Sequence, residues 1–253
     1  MLPLFFGSAE RRLFGVYEPA QRRSDAARAV LLCNSWGAEY LNAHHSLRVL
    51  AQRLCAAGFD TLRFDYFGEG DSGGETTDAD LDGWKQDIAT AVAELKAMST
   101  APRVVVLGLR LGASLAAEVA PALAGDIDRL VLWDPIVNGA NYLTELEPEA
   151  IQGRMGDRFF APVQGHGATA EIRGRVVSSA FVEGLRAVDL CSEKATAPST
   201  TLTIFSQRPP ANCARLQRTQ IVTVETVLPW QDIESESGIL PIQVYERILE
   251  WLR

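Results

Sequence analysis

Five residues near the middle of the chain carry the sharpest chemical signal: Gly108-Leu109-Arg110-Leu111-Gly112. An apolar run over Arg103–Leu109 ends in a G-x-X-x-G corner, and the small residues Ala113, Ser114, Ala116 and Ala117 open a helix directly behind it. Glycines at that spacing permit a sharp strand-to-helix turn that lifts X above a sheet. The helix N-terminus behind X offers free N–H groups and the positive end of a dipole. Where such a corner attacks acyl groups, X is a serine; here it is Arg110. A guanidinium stays protonated and cannot attack a carbonyl. Arg110 is therefore either an anion-binding group aimed into a pocket or a group ion-paired across the sheet edge, and the sequence leaves both open.

The other roles of such a site follow in chain order, nucleophile, acid, base. The acid's place, after a strand ending near Ser206 and Gln207, reads SQRPPAN and holds no carboxylate. Asp134, at the end of the preceding strand, is the substitute candidate, with a turn before Pro135 as its plain alternative. The base's place reads Val227-Leu-Pro-Trp230-Gln-Asp232, without a histidine. His44 and His45 open the helix after AVLLCNS, where either faces the pocket mouth or caps the helix on the surface; His166 sits between glycines in a loop. Ser114, one helical turn beyond Arg110, Ser35 in NSWGAEY and Cys33 are alternative nucleophiles, each without an identifiable base, and an unassisted hydroxyl attacks weakly. The N–H groups of Leu111 and of the Ser35, Trp36, Gly37 loop are placed to hold an anion or a carbonyl oxygen. The candidates are thus Arg110, Asp134 and Ser114 for chemistry, and Ser35, Trp36, Gly37, Leu111 and His45 for binding.

Elements of alternating type must position these residues. Strands are expected at Leu4–Gly7 and Arg12–Pro19, an antiparallel entry pair, then at Ala29–Ser35, Thr61–Gly68, Arg103–Leu109, Arg129–Pro135, Thr200–Gln207 and Gln220–Val227. Ala29–Ser35 is almost continuously apolar, as a strand covered on both faces is. Helices are expected at Leu41–Ala57, Asp80–Met98, Leu111–Leu123 and Pro241–Arg253, the first with Leu47, Leu50, Ala51 and Leu54 on one stripe. Alternating strands and helices imply a mainly parallel sheet covered on both faces. Regularity fails over 136–198, where no strong strand is read, so that stretch is expected to be a cap inserted into one domain spanning 1–253, at the edge where ligands bind.

Gly68-Glu-Gly70-Asp-Ser-Gly73 matches G-x-G-x-x-G after a strand. It runs into the acidic loop GETTDADLD instead of opening a helix, so it is read as a structural turn and not a dinucleotide site. The 253 residues carry a formal charge of −8 and are 47% hydrophobic. No basic cluster offers a footprint for nucleic acid or anionic lipid, and no apolar run approaches the roughly 18 residues of a membrane span. Cys33, Cys55, Cys191 and Cys213 are widely spaced, which suggests neither a zinc site nor a disulfide framework. A cytoplasmic chain with reduced thiols and no cofactor or metal is the expectation.

With these motifs in view the chain resembles the α/β-hydrolase superfamily over nearly its whole length: strand order, the DYFGEGDS turn, the elbow, the LVLWDP strand and the final helix. GLRLGAS, LRFDYFGEGDS and LVLWDP are, more narrowly, similar to the hydrolase-like proteins associated with the exosortase A system, particularly the second type, named after serine aminopeptidase-like hydrolases. The resemblance implies an α/β-hydrolase fold with a small cap, and work on acyl esters or acyl-carrier thioesters. The departures fall on the catalytic positions. Two functions follow: hydrolysis by non-standard chemistry, with Arg110 holding a carboxylate or phosphate and Asp134 or a water assisting, or a non-catalytic relative that binds a small acyl or carboxylate ligand, the arm of an acyl carrier protein or a partner protein. Weak or absent serine-hydrolase activity is expected in either case.

Overall fold

The structure is a computed structural model that describes residues 1–22, 27–146, 169–192, 200–210, 213, 216, 219–226, 228–230 and 240–253. Strands β1 (Leu2–Gly7) and β2 (Arg12–Glu18) form the antiparallel entry pair. They are followed by β3 (Ala29–Cys33), α1 (Ala38–Ala56), β4 (Asp60–Phe64), α2 (Leu81–Ser99), β5 (Val104–Leu109), α3 (Leu111–Val119) and β6 (Ile127–Trp133). Then come α4 (Gly139–Leu146), the pair β7 (Thr169–Ile172) and β8 (Arg175–Ser178), α5 (Ser179–Ala187), β9 (Thr201–Phe205), β10 (Gln220–Thr223) and α6 (Ile242–Leu252). Eight strands make one sheet in the order β1-β2-β4-β3-β5-β6-β9-β10, parallel from β4 onward. This is the α/β-hydrolase fold expected from the sequence.

Alternation along the central strands explains both layers, because successive side chains of a strand point to opposite faces. Leu31 and Cys33 of β3, with Val104 and Val106 of β5, face α2 and α3; Val30, Leu32, Val105, Leu107 and Leu109 face α1 and α6. Both faces are covered, so both must be apolar, and the near-continuous hydrophobic runs follow from that. Among the described residues no helix is long and apolar enough to cross a membrane.

Three expectations are corrected. The strand read as Thr61–Gly68 ends at Phe64, and α1 starts at Ala38, which moves His44 and His45 into the second turn of the helix. The stretch without a strong strand contains a two-stranded antiparallel pair, β7 and β8, joined through Arg173 and Gly174, both at positive φ as a two-residue hairpin turn requires. Helix α5 behind it lays Phe181 and Leu185 into the same core as α2 and α3. Finally, Cys191 and Cys213 form a disulfide, so not all four thiols are reduced. A 22-residue separation in sequence gave no pattern from which to expect it. Cys33 and Cys55 are free and buried.

The elbow depends on close backbone approach. A Cβ on Gly112 would run into the carbonyl oxygens of Asn34 and Cys33, and one on Gly108 into the backbone of Ala113. Backbone oxygens at the end of β3 cannot retreat without breaking the sheet. Gly112→Ala should therefore lower stability by about 2–3 kcal/mol, read as an earlier urea midpoint at unchanged slope. A midpoint equal to that of the unsubstituted protein would contradict this packing.

Candidate functional site

The corner holds Arg110 at φ 53° and ψ −121° between β5 and α3, with its N–H bonded to Trp133 O at 3.0 Å. Positive φ in a residue with a Cβ costs of order 1–3 kcal/mol and persists only where its surroundings enforce it. The two glycines and that hydrogen bond enforce it here. The side chain consequently projects into a cavity of about 530 Å³, a volume that suits a small organic ligand. The sheet side of its wall is Trp36, Gly37, Ala38, Glu39, Asn42 and Arg110. Tyr142, Glu145 and Leu146 of α4, Ile172, Arg173 and Arg175 of the hairpin, and Trp230 complete the described lining.

Arg110 resolves the sequence ambiguity by being both things at once: it faces the cavity and it is ion-paired. Its Nε donates to Glu39 Oε1 at 3.0 Å, and its Nη1 reaches Asp134 O at 3.4 Å. The rings of Tyr142 and Trp230 lie each 5.4 Å from the guanidinium carbon, within cation–π range. Glu39 stands in the first turn of α1, where the helix dipole favours a negative charge. Burial pushes its carboxyl above the usual range, against the pull of the Arg110 charge. Its second oxygen, Oε2, has no hydrogen bond; the Tyr142 hydroxyl faces it without meeting hydrogen-bond geometry.

The remaining candidates for chemistry are hydrogen-bonded or buried within the fold. Asp134 is buried; Oδ1 accepts from the Ser206 N–H at 2.8 Å and Oδ2 from the Ser206 hydroxyl at 2.6 Å. It ties the end of β6 to the end of β9, and burial raises its carboxyl pKa while Ser206 and Arg110 oppose that. Ser114 is fully buried and donates to Ile136 O at 2.8 Å, so it is not presented to the cavity as a nucleophile. Ser35 is buried without a hydrogen-bond partner and does not line the cavity. Burial drives the Cys33 thiol far above its ordinary pKa, which removes the reactive thiolate.

Of the binding candidates, Trp36 and Gly37 line the cavity. Leu111 opens α3 with an N–H that has no intrahelical acceptor, but its side chain is buried in the core. His45 is exposed beside Arg48 at 3.1 Å and lines nothing. His44, its ring set edge-on to that of Tyr40, likewise stays out of the cavity, and its partial desolvation together with the Arg63 charge lowers its pKa. His166 and Asp232 lie outside the described residues.

Sequence reasoning missed Glu39, Tyr142, Trp230, Arg173 and Arg175. Glu39 left a trace, an acid in the first turn of a helix, and Trp230 lay in view at the base's place. The hairpin arginines lay in a stretch without periodicity. Among the described lining residues there is no Ser, Thr, Cys or His; three arginines and two glutamates carry the charge.

The family described as serine aminopeptidase, S33, matches residues 25–206 of the chain. No curated protein matches it. Among solved structures, Est1E from Butyrivibrio proteoclasticus with ferulic acid bound is 14% identical, at a TM-score of 0.68 over 98% of this chain and 97% of that one. An esterase from Pyrococcus furiosus is 16% identical, at 0.62 over 99% and 89%. The thioesterase domain from the curacin biosynthetic pathway is 15% identical, at 0.59 over 100% and 99%. At such identities the structures show a shared fold.

Removing one partner of a buried ion pair strands the other, which costs about 3 kcal/mol or more, whereas replacing both with apolar residues is close to neutral. Glu39→Gln should therefore destabilise the protein by about 3 kcal/mol in urea unfolding, and Glu39→Leu combined with Arg110→Met should recover most of that loss. A Glu39→Gln variant of unaltered stability would break the assignment.

Proposed function

The chain belongs to the serine aminopeptidase S33 family, and within it we propose a member without the serine mechanism, whose cavity holds an anionic acyl-type ligand. A small carboxylate or the phosphate-bearing arm of an acyl carrier protein is the ligand class. The observation that carries this is the Arg110–Glu39 pair. A fixed cation and its counter-ion occupy the corner from which a hydroxyl would attack, and the described cavity wall holds no Ser, Thr, Cys or His. Arg173 and Arg175 add donors on the opposite wall, while Ile172, Leu146 and the rings of Trp36, Tyr142 and Trp230 supply apolar contact.

A second reading has one specific support. Glu39 lines the cavity beside a guanidinium and burial holds its carboxyl above the usual range, which makes it the cavity wall's candidate for moving a proton to or from a water attacking an ester or thioester carbonyl. In it Glu39 takes the assisting role that the sequence suggested for Asp134. An oxyanion-binding corner alone retains roughly 10³–10⁴-fold catalysis over water, so trace esterase turnover would not by itself separate the two.

A fluorophosphonate probe reacts with an activated serine. No labelling of the native protein is expected; stoichiometric labelling would overturn the proposal. Arg110→Ala should weaken binding of octanoate, a carboxylate of acyl type, by about 1.5–3 kcal/mol, the loss of one charged hydrogen bond. Unchanged affinity would remove Arg110 from the ligand site.

A further inference from the structure

A second buried carboxylate lies just behind the cavity wall. Glu69, in the Gly-rich turn after β4, has a side chain only 5% exposed, and its Oε2 is ion-paired with Arg175 Nη2 at 2.9 Å. Its other oxygen, Oε1, has no hydrogen-bond partner; the Trp36 indole N–H faces Glu69 without meeting hydrogen-bond geometry. Arg175 stands on β8, 30% exposed, and itself lines the cavity. One guanidinium is thus shared between a sealed carboxylate on one side and open ligand space on the other.

We propose that Arg175 is an anion subsite coupled to Glu69: a ligand carboxylate or sulfate-like anion takes the guanidinium, and Glu69, left buried without its counter-charge, binds one proton from solvent. This rests on reading the cavity as an anion site.

The sign follows from the groups around Glu69. Burial is the dominant influence and pushes its carboxyl up to about 7; Arg175 is the strongest opposing one, followed by the Trp36 N–H, while Asp65 raises it further. Asp65 is itself held by the Tyr40 hydroxyl at 2.9 Å and the Asp71 N–H at 3.1 Å, and Tyr40 of α1 senses the Glu69 charge in turn. When an anion neutralises Arg175 and the wall stays closed, burial remains and the opposing charge goes, so the bound-state pKa lies above 7. The complex then binds protons more tightly than the free protein. Affinity is highest and flat below about pH 7, where Glu69 is already protonated. It falls as pH rises through 7, by up to about tenfold per pH unit for one linked proton.

Titration calorimetry with octanoate and with sulfate, neither of which titrates between pH 6 and 9, tests this in two buffers of different ionisation enthalpy. Proton uptake should rise from near zero at pH 6 toward one per anion at pH 8.5, with affinity at least about tenfold weaker at the higher pH. Glu69→Gln, neutral at every pH, should bind at pH 8.5 about as tightly as the unsubstituted protein does at pH 6. Arg175→Met should bind weakly throughout and take up no proton. Binding without buffer dependence, or a Glu69→Gln variant that retains the full pH slope, overturns the coupling and leaves the anion site standing. Failure of both anions to bind at pH 6 overturns the anion site and the coupling with it. Without any ligand, the Glu69 carboxyl ¹³C resonance should titrate near 7 and move higher in Arg175→Met; a midpoint in the ordinary carboxylate range also refutes it.

Discussion

The ion pair between Arg110 and Glu39 is the constraint around which the site is arranged. Two charges removed from water cost more than their attraction returns unless further contacts satisfy them. Here the contacts come from five separate parts of the chain. The first turn of α1 supplies the carboxylate and a favourable dipole end. The strained corner after β5 fixes the guanidinium, the Asp134 carbonyl takes a second donor, and Tyr142 and Trp230 flank it with ring faces. Asn42 holds the Trp230 segment in place by donating to its carbonyl at 3.1 Å. The pair fills the corner, so the elbow presents a cation with one carboxylate already attached.

The elbow's backbone is held independently of the side chain at its corner. Gly108 and Gly112 are required by the backbone of β3 and α3 whatever stands at position 110. Asp134 keeps a structural task, joining β6 to β9 through Ser206, and Ser114 caps the carbonyl of Ile136. Asp134 and Ser114 thus bond within the fold, while the charges that face the cavity come from the corner, α1, α4 and the β7–β8 hairpin.

Much of this was legible in the residues. Continuous apolar runs marked the parallel strands, because a sheet covered on both faces imposes that pattern, and the glycine spacing marked the elbow with a cationic side chain upon it. The partners of that side chain were not legible. Glu39 is 71 positions away from Arg110 in the chain, and no local pattern tells a first-turn acid that feeds a dipole from one that reaches across to the next strand's corner. The hydrogen bonds of Ser114 and Asp134 were illegible for a related reason. Their spacing fits a site, and only the hydrogen bonds to Ile136 and Ser206 show that their oxygens are committed elsewhere. Arg173 and Arg175 sit in a hairpin too short to impose a periodicity, and the Cys191–Cys213 disulfide depends on how distant segments meet.

The most direct measurement is the ¹⁵N–¹H spectrum of the arginine Nε–H groups, with the Arg110 signal assigned by its loss in Arg110→Lys. A guanidinium bonded through Nε to a buried carboxylate should show a downfield proton that exchanges slowly with water and moves upfield in Glu39→Gln. An Arg110 Nε–H that exchanges as fast as those of solvent-exposed arginines, indifferent to residue 39, would mean that the corner is unpaired and the account is wrong.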